Sequence, residues 1–447
     1  MRLIVVIVAL MTLGAGMAQA QPPPFIGDYD AELRTGEHVD CELMIERLTE
    51  LGANTYMWLI WHSPNDWEDL HTFLPLAQEA GITVWVYLVP PSETAATHPQ
   101  FPYSEPFRLD YKRWAEETAK LSLEYDNLVG YVIDDFWGNV NPNWFTPESI
   151  EAMIDAGRAI NPDIKFYPLM YYRQIGPRFA ELLGPLVDGV VAAYPRDREM
   201  IERALPFLHD DYAIASHGVI TYPWDAPSTA GEGGFLTQTA RVTDAANASL
   251  TVSYRDDFAG PTEGYHFMQV RVGDEVAWEE DVAGADEGVA EIDLSELVAG
   301  REQVTIALGV FDRQGVGNFG VTAAFPEVTA TGLELRPMDD EDAWQADARG
   351  QFSAVATPPL EGHGQFHLPL IVMPSGQRGE FEKRNQADAT SERIAAKVAM
   401  VLELVREGKV AGMVTYCLDK SPGNPDFDAV KQVIGEYRAA REANGEQ

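Results

Sequence analysis

Two adjacent aspartates, Asp134 and Asp135, are the residues of this sequence best suited to acid–base chemistry. They end an apolar run, 128–135, that is typical of a buried strand. Neighbouring strand residues point to opposite faces, but at the frayed end of a strand both side chains can reach the same opening. Two like charges this close raise one pKa, which suits a general acid near neutral pH. The alternative is that one aspartate caps the following loop while the other is solvated.

Aromatic and polar side chains gather at the ends of several other apolar runs. Aromatic faces stack on sugar rings, and carboxyl groups handle protons and developing positive charge. We therefore predict a carbohydrate site in which Asp134 and Asp135 are catalytic. The predicted substrate-binding residues are Asp28, Tyr29, Trp61, His62, Trp137, Tyr171, Tyr194, Tyr416 and Asp419.

Some of these residues have structural alternatives. His62 could order a loop instead of binding a substrate hydroxyl. Tyr171 and Tyr172 alternate faces, so at most one of them points at a substrate. Asp28 and Asp419 are candidates for a second carboxylate, but Asp419 could simply pair with Lys420 at the surface.

The elements that must position these residues alternate between strand and helix. Short, almost wholly apolar runs alternate with amphipathic segments, a pattern typical of a buried parallel sheet. Six such units come first, and their strands are predicted at 25–29, 54–61, 82–89, 128–135, 165–171 and 188–194. Two more units follow later in the chain, with strands at 366–374 and 410–417. Eight strand–helix units predict an α/β fold, the (β/α)8 TIM barrel, in which reactive groups lie at the carboxyl ends of the strands. An open, doubly wound sheet is the alternative.

The periodicity changes between the sixth and seventh units. About seven short runs of alternating polarity lie between 222 and 335, separated by turn residues, and they predict an inserted antiparallel β-sandwich of jelly-roll type. From Glu232 to Leu335 there are 19 acidic residues and five basic ones, which supports a separate module. The predicted organisation is a signal peptide at 1–20, barrel units one to six at 21–221, the sandwich at 222–335, a linker at 336–364 and barrel units seven and eight at 365–447.

The first residues and the charge bear on location and partners. Arg2, the apolar stretch after it and Ala18-Gln19-Ala20 match a secretory signal with its cleavage site, so we expect a secreted or periplasmic protein. No later stretch reaches the roughly 20 apolar residues of a membrane-spanning helix. Asp and Glu outnumber Lys and Arg by 70 to 32, giving a formal charge of −38. Such a surface repels phosphate backbones, so we expect no nucleic-acid partner and no membrane insertion after signal cleavage.

Cysteine and histidine usage predicts neither a metal nor a cofactor. The chain has two cysteines, Cys41 and Cys417, and no CxxC pattern. An exported compartment permits a disulfide, but two buried free thiols are favoured. The one HxxxH spacing, His363 to His367, runs from a Gly-rich segment into a strand, where the two imidazoles do not share a face.

Two short motifs resemble a known enzyme family. Gly52-Ala53-Asn54-Thr55-Tyr56-Met57 resembles the second strand of glycoside hydrolase family 84, the O-GlcNAcase and bacterial hyaluronidase-type enzymes, and Asp134-Asp135 resembles its aspartate pair after strand four. The resemblance implies a retaining, substrate-assisted mechanism. Asp134 would orient the 2-acetamido group of the substrate, Asp135 would be the general acid/base, and Tyr171 would hydrogen-bond the acetamido group.

Three classes of function follow from this sequence. The leading expectation is an exported glycoside hydrolase acting on an oligo- or polysaccharide through the strand-four carboxylates. The second is a polysaccharide lyase, with Tyr171, His62 and Arg173 as base and charge neutraliser. The third is a non-catalytic glycan-binding protein.

Overall fold

Eight parallel strands close into a barrel. The computed structural model describes residues 23–209, 213–214, 218–222, 228–256, 258, 263–283, 287–315, 320–338, 340, 342–356, 360–361, 364–385 and 388–443. The barrel strands are β1 (Phe25–Tyr29), β2 (Thr55–Ile60), β3 (Thr83–Leu88), β4 (Leu128–Ile133), β5 (Lys165–Tyr171), β6 (Val190–Ala193), β7 (Leu370–Met373) and β8 (Gly412–Tyr416). β1 pairs with both β2 and β8, so the sheet has no free edge. The predicted TIM barrel is confirmed.

Helices surround the barrel and follow its strands. They are α1 (Cys41–Leu51), α2 (Asp66–Glu79), α3 (Tyr111–Ser122), α4 (Pro147–Arg158), α5 (Pro177–Leu182), α6 (Arg198–Ala204), α7 (Arg378–Asn385), α8 (Ser391–Arg406) and α9 (Pro425–Ala443). Local sequence explains several helix starts. Asp40 caps α1 by accepting from the Leu43 backbone N–H, and Thr146 caps α4, whose first residue is Pro147.

The barrel strands are apolar on both faces because two layers of core pack against them. Every residue of β2 is buried. Inside the barrel, Met57, Leu59 and Tyr87 pack against residues from the other strands. Outside it, Tyr56 and Trp58 pack against helices. This is the packing that near-continuous apolar runs indicate for parallel sheets.

The insertion between α6 and β7 consists of antiparallel sheets with their own core, as predicted. One sheet contains Glu287–Asp293, Ser249–Asp256, Val321–Ala324, Val219–Tyr222, Ser353–Val355 and Val328–Thr331. The other contains Glu275–Asp281, His266–Val272, Gln303–Asp312, Gly233–Val242, Leu333–Glu334 and Gln345–Ala348.

The stretch 336–364, predicted to be a linker, contributes strands to this sandwich. Gln345–Ala348 pairs with Gly233–Val242, and Ser353–Val355 pairs with Val219–Tyr222. The linker prediction is therefore wrong for these segments, because their backbone groups complete the two sheets. The two ends of the insertion meet where the Gly218 backbone N–H donates to the Ala356 carbonyl oxygen at 2.7 Å.

Two smaller differences matter for the site. β4 ends at Ile133, so Asp134 and Asp135 lie just beyond the strand. The loop after β7 contains α7, a helix that the sequence pattern did not predict because it is charged and only weakly amphipathic.

The two cysteines agree with expectation, since Cys41 and Cys417 are buried free thiols. Among the described residues, no helix has the length and apolar character needed to span a membrane. The predicted signal peptide and His363 lie outside the described residues.

Candidate functional site

A cavity of about 240 Å³ opens at the carboxyl ends of the barrel strands. The predicted residues that line it are Tyr29, Trp61, Asp134, Asp135, Tyr171, Tyr194 and Tyr416. Side chains from six different strand ends thus meet at one opening, which the order of the strands around the closed barrel makes possible.

Backbone strain is concentrated at this end of the barrel. Among the described residues, the non-glycine residues with positive φ are Asp30, Ala31, Arg108, Asp135, Tyr194 and Cys417. All but Arg108 directly follow a barrel strand. L-residues in this region cost about 1–3 kcal/mol each and are enriched at functional sites. The strained turns aim the strand-end side chains at the opening.

Asp134 lies at the centre of a ring of tyrosines. Tyr87, Tyr29, Tyr416, Tyr194 and Tyr171 form a continuous series of ring contacts, with centroid separations from 4.1 to 6.0 Å. Burial, followed by the negative charges of its carboxyl neighbours Asp135 and Glu93, raises the pKa of Asp134 well above its usual range. Both effects favour the neutral carboxyl group over the anion.

Asp135 contributes a half-buried side chain to the wall of the cavity. Its backbone has φ 40°, and its backbone N–H donates to Asp134 Oδ1 at 2.8 Å. Within the described part of the chain, Asp135 Oδ1 has no hydrogen-bond partner. Burial raises the pKa of Asp135, while the Tyr171 hydroxyl and the Arg384 guanidinium oppose that rise. Buried polar atoms without partners are rare in native proteins, and a bound ligand is one way to satisfy them.

Glu93 is a third carboxyl group in the cavity. It ends a short 3₁₀ turn, Pro91–Glu93, in the loop after β3. Burial and the charge of Asp135 raise its pKa from 4.5 to about 7. Asn139 fixes this loop to the one after β4. Its Oδ1 accepts from the Ser92 backbone N–H at 3.0 Å, and its Nδ2 donates to Ser92 Oγ at 2.9 Å and to the Asp135 carbonyl oxygen at 3.0 Å.

Helix α7 supplies the positive charge of the cavity. Arg384 lies over the rings of Tyr171 and Tyr194, at 5.3 and 4.8 Å from their centroids. Lys383 and Glu380 of the same helix also line the cavity. The Arg384 guanidinium therefore covers the ring of tyrosines on the side where Asp135 lies. There it can stabilise an anionic carboxylate.

His62 and Asp419 lie around a second, adjacent cavity of about 900 Å³. His62 Nε2 contacts Asp30 Oδ1 at 2.9 Å. Asp419 accepts from the Ser421 backbone N–H and from Asn424 Nδ2. It does not pair with Lys420, whose ammonium is buried against Asp28. Asp30 lines both cavities, so the two openings are contiguous at the barrel mouth.

Two predicted binding residues lie away from both cavities. Asp28 is fully buried, because its side chain turns outward from the barrel to Lys420 and to Thr415 Oγ1. Trp137 packs against the core between strands and helices. Neither residue is placed to touch a substrate, and the prediction for both is corrected. For Asp28 this follows from the alternation of side chains along β1, which turns it toward the helical layer. Trp137 begins a 3₁₀ turn, Trp137–Asn139, and packs against the core from there.

Sequence reasoning missed Glu93, Arg384 and the Glu380–Lys383 segment. Glu93 had a usable signal, since it follows closely on the third predicted strand. Arg384 had none, because only the unpredicted helix α7 carries it to the mouth. Asp30 was visible as part of the acidic end of the first strand but was not singled out.

Together, the fold and site define a (β/α)8 barrel with an acidic, tyrosine-lined cavity at its carboxyl end. No family model and no curated protein matches this chain. Solved structures that resemble it are TIM-barrel glycoside hydrolases. One is the catalytic core of xylanase A, at 15% identity over 42% of this chain and 66% of that one, with a TM-score of 0.30.

Two further similar structures have comparable values. A family 5 glycoside hydrolase from Streptomyces cattleya, in complex with Manβ1-4GlcNAc, has 15% identity over 42% of this chain and 58% of that one, with a TM-score of 0.30. An endo-1,4-beta-mannanase from Eisenia fetida has 12% identity over 39% of this chain and 69% of that one, with a TM-score of 0.29. This chain covers less than two thirds of the length of the xylanase and of the family 5 enzyme. At these values the likeness identifies no substrate for this chain.

Proposed function

We propose that this protein is an exported glycoside hydrolase whose chemistry depends on the carboxyl groups after β4. The observation that carries the proposal is the unpartnered, buried Oδ1 of Asp135 in a cavity lined by tyrosines and other carboxyl groups. A proton donor beside acids and aromatic surfaces is what cleavage of a glycosidic bond requires.

Asp135 is the general acid/base in this proposal. Its carboxyl group lies in the wall of the cavity, and burial raises its pKa, which favours the protonated form that a general acid needs. Asp134 is its partner, and burial favours the neutral form of this carboxyl group. Glu93 adds a carboxyl with a pKa of about 7, suited to proton exchange with water near neutral pH.

The finer, substrate-assisted mechanism rests on the position of Asp134. In this mechanism Asp134, whose Oδ1 accepts from the Asp135 backbone N–H, orients the 2-acetamido group of a bound N-acetylhexosaminide. Tyr171 lies beside Asp135 on the same side of the cavity. Comparing aryl N-acetylglucosaminides with aryl glucosides and xylosides tests this mechanism, since only the first carry the participating group.

The lyase alternative has less support from the electrostatics. Burial and the nearby Asp135 and Asp134 charges raise the pKa of Tyr171, which makes it a poor base. Arg173 is exposed and does not line the cavity. A lyase would still be recognised by products that absorb in the ultraviolet as unsaturated uronates.

The decisive experiment is the substitution Asp135→Asn, assayed on a panel of aryl glycosides and polysaccharides. We expect kcat to fall by about 10²–10⁴-fold, the usual contribution of a positioned proton donor, while glycan affinity is retained. The matched control is Asp126→Asn, an exposed aspartate before β4 at the opposite end of the barrel, which should leave kcat unchanged.

Two outcomes would contradict the proposal. If Asp135→Asn kept full activity, the strand-four acids would not be the catalytic groups. If the wild-type protein bound glycans but released no reducing ends from any of them, the binding-protein alternative would replace the enzyme.

A further inference from the structure

A cluster of potential metal ligands lies outside the tyrosine-lined cavity. Asp30, Glu32 and His62 come from the loops after β1 and β2, and one donor atom from each lies within 4.8 Å of the others. All three line the larger cavity of about 900 Å³, which gives an ion a path of entry. The sequence did not suggest this group because its spacing matches no known metal motif.

The cluster is held rigidly. The Tyr56 hydroxyl and Lys420 Nζ donate to the Asp30 carbonyl oxygen at 2.9 and 2.7 Å. These bonds fix Asp30 and Ala31 in their strained, positive-φ conformations. The Cys417 thiol donates to Asp30 Oδ2 at 3.3 Å, which leaves Oδ1 facing His62.

Glu32 points into this cluster without a full set of partners. Its side chain is only 1% exposed, yet within the described residues its Oε1 has no hydrogen-bond partner. Its other oxygen, Oε2, contacts the Arg34 guanidinium at 3.7 Å, beyond hydrogen-bond distance. A buried carboxylate in this state is costly unless something else neutralises it.

Carboxyl groups outnumber the basic groups around this cluster. Four buried or half-buried carboxyl groups meet here, on Asp28, Asp30, Glu32 and Asp66. Three basic groups face them: Lys420 contacts Asp28, Arg34 contacts Asp66 at 2.8 Å, and His62 contacts Asp30 at 2.9 Å. The other ion pair at this cavity, Arg378 with Asp426, is neutral overall, and Asp419 adds a further negative charge.

We propose that Asp30, Glu32 and His62 form a binding site for a divalent transition-metal cation, Zn²⁺ in the first instance. One imidazole and two carboxylates are a donor set that suits Zn²⁺, and three protein ligands leave a position open toward the cavity. A divalent cation offsets the excess of carboxyl groups and gives Glu32 Oε1 a partner. Ligand atoms about 3–4 Å apart surround an ion bound at about 2.1 Å, so small side-chain rotations suffice.

Zinc titration of the EDTA-stripped, full-length protein tests this proposal. We expect calorimetry to show one saturable equivalent of Zn²⁺ and thermal unfolding to shift upward as zinc is added, because a ligand that binds only the folded state stabilises it. In His62→Ala and Glu32→Gln, zinc affinity should fall at least tenfold. The matched control His71→Ala, an exposed histidine on α2, should bind zinc like the wild type.

The readout is zinc binding, so it does not depend on whether the proposed hydrolase activity is correct. His62 is exposed, so its substitution should not unfold the protein, and circular dichroism checks this. A wild-type protein that binds no zinc equivalent overturns the proposal. Equal zinc affinity in His62→Ala and the wild type also overturns it, since the ion would then lie elsewhere.

Discussion

At the scale of single residues, the barrel mouth is organised by carboxyl groups that cannot all be ionised together. Asp134, Asp135 and Glu93 share one cavity, and burial raises the pKa of each carboxyl group. Neighbouring negative charge raises the pKa values of Asp134 and Glu93 further. Arg384 offsets this only at Asp135. The titration of one group therefore depends on the state of the others, as expected for coupled acids.

Glu93 makes this coupling measurable as a dependence of stability on pH. Its folded pKa is raised from 4.5 to about 7, so its contribution to stability is present below pH 4.5 and is lost as pH rises through about 7. The free energy of unfolding of Glu93→Gln, taken relative to wild type, should rise by on the order of 2 kcal/mol between pH 5 and pH 8, allowing for partial solvent screening. Urea denaturation at both pH values measures it.

The control for this experiment is Glu79→Gln, an exposed glutamate at the end of α2. Its stability relative to wild type should not change with pH. A Glu93→Gln variant that behaved the same way would show that Glu93 titrates normally.

At the scale of elements, the site depends on how loops from different strands are joined. Asn139, only 1% exposed, connects the loop after β3 to the loop after β4 through Ser92 and Asp135. It thereby sets the position of Glu93 relative to Asp135. Catalytic groups on loops need such supports, because small displacements of a reacting group cost rate.

Replacing Asn139 should affect both stability and turnover. Asn139→Ala removes three hydrogen bonds and leaves buried backbone groups unpaired, so we expect a loss of about 2 kcal/mol in the free energy of unfolding. If the proposed function holds, kcat should fall at least tenfold with little change in KM. Asn143→Ala, an exposed asparagine in the same loop, is the matched control. Equal kcat values for Asn139→Ala and Asn143→Ala would contradict the positioning role.

At the scale of the whole molecule, one buried ion pair joins the first and last barrel strands. Asp28 of β1 contacts Lys420, which follows β8, and both side chains are fully buried. Thr415 Oγ1 and the Leu418 backbone N–H also donate to Asp28. The sandwich has a hydrophobic core of its own, and its two sheets are separate from the closed barrel.

Removing one partner of this ion pair should lower the free energy of unfolding more than replacing both partners with apolar residues. Lys420→Met leaves the Asp28 charge buried and unpaired, so we expect a loss of about 3–5 kcal/mol in the free energy of unfolding. The double variant Asp28→Leu/Lys420→Met should be more stable than the Lys420→Met single variant, since no buried charge remains. Lys431→Met, which removes an exposed pair with Glu50, is the control and should unfold like the wild type. Wild-type stability in Lys420→Met would refute this account of barrel closure.

The sequence by itself determined the architecture and the acids after β4. Near-continuous apolar strands, helices with recognisable caps and the change to a two-residue period are local signals, so eight barrel units and an inserted sandwich could be predicted from them. The adjacency of Asp134 and Asp135 was likewise visible along the chain.

Only the tertiary structure decided which other residues meet those acids. Glu93 and Arg384 reach the cavity from loops after β3 and β7, far apart in sequence, and barrel closure brings them together. Barrel closure also places Asp28, which was predicted to bind substrate, in a buried ion pair with Lys420. Whether a strand-end side chain faces the opening or the helical layer depends on strand register and end point, and a shift of one residue reverses it.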